Sequence, residues 1–198
     1  MTQYAQTLIK ETTADYQEKG SKFLAYAFPC QTIETFNKRL EVLQVEHPKA
    51  RHHCYAYRFG ETGEEYRAND DGEPSGTAGL PIYNQLQSFE VSDCGLIVVR
   101  YFGGTLLGAS GLIRAYKTAA QSALSVATFC PIVPKTTLTV TLSYPQVNRL
   151  MRFVEQYQMT ILSQEMAMNC RYQLEIERDK QSEIIAALAQ QDIHLEDE

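Results

Sequence analysis

The 198-residue sequence lacks a basic-then-apolar leader, and none of its apolar runs approaches the ~20 residues that a membrane span needs. A cytoplasmic protein with no membrane partner is therefore expected. The five cysteines, Cys30, Cys54, Cys94, Cys130 and Cys170, are odd in number, widely spaced and never at CxxC spacing. That excludes the usual zinc and thioredoxin-like motifs and reads as reduced thiols. Acidic residues are missing from one long stretch: none falls between Asp93 and Glu155, although Arg100, Arg114, Lys117, Lys135, Arg149 and Arg152 do. The net charge of −6 argues weakly against a nucleic-acid partner, but this distribution allows a basic face on an acidic protein.

What is present has the balance of an ordinary globular chain, 44% hydrophobic and 21% charged. Residues 23–28 form a mostly apolar run ended by Pro29, which reads as a buried strand. Thr32 caps a helix whose apolar positions Ile33, Phe36, Leu40 and Leu43 share one face. A strand at His52–Phe59, a turn at Glu61-Thr62-Gly63 and a short strand at 65–68 give a hairpin signal. Turn formers fill 70–79 before a helix carrying Ile82, Leu86 and Phe89. Residues 95–99 are a continuous apolar strand of the kind buried on both faces, and Leu112, Tyr116, Ala119, Ala123 and Val126 then mark a long helix.

Pro131 and Pro134 interrupt the pattern. They place a boundary between an N-terminal domain at 1–132 and a C-terminal domain at 135–198. The second segment reads β-α-β-β-α-β, the ferredoxin-like split unit, so the fold class is α+β. From Val133 on it carries six basic and ten acidic residues, a suitable surface for docking another protein.

Three constellations bear on chemistry. Gly103-Gly104-Thr105-Leu106-Leu107-Gly108 lies between a strand and a helix, where free backbone N–H groups can hold an anion or where glycines simply permit a tight turn. Ala109 stands where a P-loop needs its phosphate-binding lysine, so a P-loop NTPase is excluded. Arg100, Tyr101 and Phe102 put a cation and two rings beside this turn, with Arg100 and Phe102 on one face of the strand and Tyr101 on the other. One ring can be core while another stacks on an RNA base. With Arg114 and Lys117 one helical turn apart, these residues form the expected RNA- or anion-binding set. His52, His53, Asp71, Ser75 and Thr77 are candidate ligand contacts, with turn formation and capping as the structural alternative for the last three. Asp70, Asp71 and Glu73 match no calcium loop, and His52, His53 and Cys54 have no evident third partner. No catalytic residue, metal or cofactor is expected.

Several of these segments carry a family resemblance. His47-Pro48 with Ala50-Arg51-His52-His53-Cys54, then Asp70-Asp71-Gly72-Glu73-Pro74-Ser75-Gly76-Thr77-Ala78-Gly79, then Val98 through Gly108 with Gly111-Leu112 and Ala115-Tyr116, resemble the YigZ/IMPACT family, and its bacterial YigZ branch in particular. The resemblance implies an N-terminal domain with a left-handed β-α-β fold, like a late domain of elongation factor G, followed by a domain like that factor's last one. It points to the ribosome. Eukaryotic IMPACT proteins regulate translation under amino-acid starvation by competing with a kinase for its ribosome-associated activator, but they carry a different companion domain. The expected function is a non-enzymatic RNA- or ribosome-binding protein with a role in regulating translation. The alternatives are a nucleotide- or phosphate-binding enzyme, since left-handed β-α-β domains also occur in small-molecule kinases, and a protein-interaction adaptor.

Overall fold

In the computed structural model, which describes residues 5–196, the chain divides between Ile132 and Val133 into two compact units. The fold is mixed α+β, with five α-helices among the described residues. The first unit runs β1 (Gln6–Leu8), β2 (Thr12–Glu18), β3 (Ser21–Pro29), α1 (Ile33–Glu46), β4 (His52–Phe59), β5 (Glu65–Asn69), α2 (Gly79–Ser88), β6 (Cys94–Tyr101), α3 (Gly108–Ser125) and β7 (Phe129–Pro131). Five of these strands make an antiparallel sheet in the order β2-β3-β6-β4-β5, while β1 pairs with β7. Strands β3 and β4 flank β6 and run parallel to each other, so α1 joins them as a β-α-β crossover.

Strand alternation divides this sheet into two buried faces. Phe23, Ala25 and Ala27 of β3, Cys54 and Ala56 of β4, and Leu96 and Val98 of β6 pack under α2 and α3. Phe28, Tyr57, Phe59, Ile97 and Val99 take the other side, under Phe36 and Leu43 of α1. A sheet covered on both faces requires apolar residues at consecutive positions of its central strand, and β6 is buried throughout from Cys94 to Arg100. Gly95 belongs there for space: a Cβ would come within 2.7 Å of the Phe28 and Phe36 rings.

Strands β1, β2 and β7 were not expected from the sequence. β2 is a sheet edge whose side chains alternate between half-buried and exposed, so it carries Asp15, Gln17 and Glu18 and reads as a polar segment. Lys19 and Gly20, both at positive φ, turn it tightly into β3, as a two-residue hairpin of the primed type demands.

The second unit contains β8 (Lys135–Leu142), α4 (Val147–Gln156), β9 (Thr160–Met166), β10 (Cys170–Glu177), α5 (Gln181–Ala189) and β11 (His194–Leu195). Its antiparallel sheet has the order β11-β8-β10-β9, the arrangement of a ferredoxin-like domain. Leu138, Val140, Leu142, Tyr172, Leu174 and Ile176 point to the helices and meet Leu150, Ile184 and Leu188. Thr137, Arg171 and Gln173 face water, the alternation of a sheet covered on one side. Pro145 sits in a single 3-10 turn that leads into α4, with Ser143 and Gln146 closing a capping box. Among the described residues, no helix is long and apolar enough to cross a membrane.

Candidate functional site

The site is assembled at one end of the five-stranded sheet, on the face covered by α2 and α3. Antiparallel pairing sets His52 at the start of β4 opposite Arg100 near the end of β6. The loop at 70–78 is pinned beside them by its own carboxylates. Asp71 accepts the His53 backbone N–H at 2.6 Å and holds the loop to β4. Asp70 reaches the first turn of α2: Oδ1 accepts from the Ala78 and Gly79 N–H groups at 2.9 and 2.8 Å, and Oδ2 from Gly76 at 2.8 Å. The helix has no side-chain cap from its own N-cap residue, so a residue eight positions upstream does that work.

This fixed loop delivers Glu73 into the interior, where it is 9% exposed. Arg100 Nη1 donates to its Oε1 at 2.5 Å and the Tyr116 hydroxyl donates to the same oxygen at 2.8 Å. The Arg100 guanidinium lies between the Phe23 and Phe102 rings, 5.5 and 5.8 Å from their centroids. Its Nη2 reaches Ser21 Oγ at 3.5 Å, while Nε has no partner. Cys54 Sγ completes the group, 3.2 Å from the Tyr116 hydroxyl and 3.0 Å from the Asp70 carbonyl. Burial pushes both the Cys54 thiol and the Tyr116 phenol well above their ordinary values. Neither ionises readily, so Cys54 is not poised as a nucleophile.

Above this buried group opens a cleft of ≈ 490 Å³. Its walls are largely apolar, from Phe102, Leu106, Leu107 and Leu112, and its polar rim consists of Arg51, His52 and the start of α3 at Gly108 and Ala109. His52 Nδ1 lies 2.8 Å from the Asp71 carbonyl. A carbonyl only accepts, so Nδ1 carries the proton and Nε2 is left facing Glu73 at 3.9 Å. Glu73 is the single acid on the cleft wall, and its charge is matched by Arg100.

The expected binding residues therefore separate. Arg100 is not a surface cation; at 5% exposure it is spent on Glu73. Phe102 is 47% exposed, with the guanidinium over its ring. Tyr101 turns to the α1 side, where its hydroxyl meets His47 Nδ1 at 2.9 Å. Gly103 is not an anion donor, because its N–H goes to Ser21 Oγ at 3.2 Å. Its role is close approach: a Cβ would lie 1.9 Å from the Gly20 carbonyl carbon. Gly104, at φ +87°, has open space around it. Arg114 pairs with Glu18, whose carboxyl that hydrogen bond holds below its usual range, and Lys117 is exposed on the same helix. His53 points to the α1 side, away from His52, and Thr77 donates to the Pro74 carbonyl at 2.6 Å within the loop. Ser75 is exposed. Sequence reasoning passed over Arg51, the Asp70 cap and the partnership of Glu73 with Tyr116. Arg51 stood beside His52 in the sequence, but the Asp70 cap acts from six to nine positions away, beyond the usual capping window, and Glu73 and Tyr116 are 43 positions apart. Asp70, Asp71 and Glu73 point in different directions, and no group of three potential metal ligands converges among the described residues.

Fold and site together define a two-unit α+β protein with an apolar, cation-rimmed cleft in its first unit. The chain belongs to the IMPACT family: the Impact N-terminal domain matches residues 19–124, more than half of the chain. It is 35% identical over 164 residues to an IMPACT family member of Haemophilus influenzae, covering 81% of this chain and 80% of that relative. IMPACT family member YigZ of Escherichia coli is 37% identical over 132 residues, 66% of this chain and 65% of its own length. A crystal structure of a hypothetical protein matches with a TM-score of 0.82 at 29% identity, over the whole of both chains.

Proposed function

We propose that this protein is a non-enzymatic, ribosome-associated RNA-binding factor that acts in the regulation of translation. The observation that carries the reading is Phe102: a half-exposed ring, backed by a buried guanidinium, at the mouth of a cleft rimmed by Arg51 and the start of α3. An aromatic face of this kind stacks on an unpaired base, while neighbouring cations and helix N–H groups take its phosphates. Lys117, exposed on α3, extends the positive surface along that helix, and Arg114 beside it is paired with Glu18. Further support comes from the order of units, a β-α-β domain followed by a ferredoxin-like one, which is the order that a likeness to the late domains of elongation factor G implies. Chemistry argues the same way, since Cys54 and Tyr116 are held protonated and Glu73 is closed in an ion pair.

Titration with single-stranded RNA and co-sedimentation with ribosomal subunits test this reading. If about three phosphates are neutralised, log affinity falls against log salt with a slope near −2, at roughly −0.7 per contact. Phe102→Ala, at an exposed position, weakens RNA binding by about 1–3 kcal/mol and releases the protein from ribosomal fractions. Absence of RNA and ribosome binding, or binding unchanged in a folded Phe102→Ala protein, refutes the proposal. His52 favours the second reading, an acid–base enzyme acting on a phosphorylated small molecule, because its Nδ1 is anchored and its Nε2 faces the cleft. Turnover of ATP that purifies with the protein and disappears in His52→Ala would establish that reading instead.

A further inference from the structure

We propose that the cleft is a pocket for a single nucleotide, with the base between the apolar walls and the 5′-phosphate on Arg51 and the first N–H groups of α3. The inference deepens the RNA-binding reading and rests on it for the identity of the strand that supplies the nucleotide. Size limits the occupant. At ≈ 490 Å³ the cleft falls within the range of small-ligand sites, about 300–1,000 Å³, and is too small for a run of stacked bases. An RNA engaging it inserts one residue, at a chain end or flipped from the strand.

Apolar and polar groups divide the lining of the cleft. The middle is apolar, formed by Phe102, Leu107 and Leu112, and suits the faces of a base. One side is the N-terminus of an 18-residue helix with no side-chain cap. Gly108 there has no heavy atom near the position of a Cβ, so an anion can approach the backbone. Arg51, exposed on the rim, supplies the full positive charge.

An unmet donor lies beside these walls. Arg100 is 5% exposed, lines the cleft and leaves its Nε–H without a partner, an expensive condition for a buried polar group. His52 Nε2, an acceptor when Nδ1 carries the proton, lies 3.9 Å from Glu73 Oε1, the oxygen that Arg100 Nη1 holds. A donor and an acceptor among the residues that line an apolar cleft match the edge of a base, which offers both. A free phosphate uses only the rim and an uncharged nucleoside only the slot, so neither satisfies the whole site.

Calorimetric titration of the full chain with adenosine 5′-monophosphate, adenosine and inorganic phosphate tests this directly. The monophosphate binds, and adenosine and phosphate each bind about tenfold or more weakly, as expected for loss of a charge-assisted contact or of the base. Arg51→Glu and Leu106→Glu, both at exposed positions and so tolerated by the fold, each lower monophosphate affinity by about tenfold or more, whereas Arg51→Lys retains it. Monophosphate binding no tighter than that of inorganic phosphate, or indifferent to Leu106→Glu, overturns the proposal. A parallel titration with a single-stranded RNA pentamer separates the two readings. If the pentamer binds wild type and Leu106→Glu equally while the monophosphate does not bind, the pocket is wrong and RNA binding stands. If the monophosphate behaves as expected and the pentamer does not bind, the pocket stands and the RNA reading falls.

Discussion

A carboxylate in the interior is tolerable only while its partners are in place, and Glu73 has two at its Oε1, Arg100 and Tyr116. Removing it leaves the Arg100 charge between two phenyl rings, with only Ser21 at 3.5 Å to answer it. Glu73→Ala is therefore expected to lower stability by about 3–5 kcal/mol in urea denaturation. Glu34→Ala breaks the exposed ion pair with Lys38 and leaves the urea midpoint in place. His53 gives a second residue-scale test. Its Nε2 is buried without a partner, and burial pushes the imidazole below its ordinary 6.5. Unfolding restores the ordinary value, so the unfolded chain binds the proton more readily than the folded one. Stability is full above 6.5 and is lost as pH falls below it towards the depressed folded value. Unfolding free energies measured from about pH 7 to about pH 5.5 should decline for the wild type and stay flatter for His53→Gln. Equal slopes in the two proteins would remove His53 as the cause.

At the scale of elements, most of the first unit follows from local rules, and the exceptions share one cause. The helix cap at Thr32 and the span of β4 are readable because each depends on neighbours in sequence: Thr32 Oγ1 accepts from the Thr35 N–H, three residues on. The cap of α2 is not. Its acceptor, Asp70, lies outside the usual capping window and is brought round by the turn at Asp71 and Gly72, both at positive φ. Glycines show the same limit. Gly103 and Gly104 are adjacent and identical as letters, yet one is fixed by a backbone passing at contact distance and the other by its dihedral alone. The position of Gly20, in the β2–β3 turn beside the end of β6, and not the local sequence, sets the close approach at Gly103. The cleft was half legible for this reason: Phe102, His52 and the glycine turn stood out as residue types, whereas the burial of Arg100 depends on a glutamate 27 positions away. Asp70→Ala tests the long-range cap. It strips three N–H groups of their acceptor and is expected to cost about 2 kcal/mol, with faster amide exchange at Ala78 and Gly79 than at the α1 N-terminus. Unchanged exchange at those two amides would mean that another group caps the helix.

For the whole molecule, the question is whether each unit carries enough interior to stand alone. The second unit has its own closed core: Leu138, Val140, Leu150, Tyr172, Leu174, Ile184 and Leu188 pack against one another. Its sheet is complete without borrowing a strand, since β8 and β10 are central and β9 and β11 are its own edges. Backbone bonds close both ends of the segment: the Arg178 N–H donates to the Pro134 carbonyl at 2.8 Å, and the Glu196 N–H to the Thr139 carbonyl at 3.0 Å. A domain of this size is near the lower limit for a single core without disulfides or metal, so marginal but cooperative folding is the expectation. A fragment of residues 133–198 should show dispersed amide resonances and a single sigmoidal urea transition. It should fail both tests when Leu174→Ala opens a cavity at the centre of the sheet, a loss of about 2–5 kcal/mol that a small domain cannot absorb. Narrow, random-coil amide shifts for the wild-type fragment, alongside a folded full chain, would show that the first unit is needed to hold the second together.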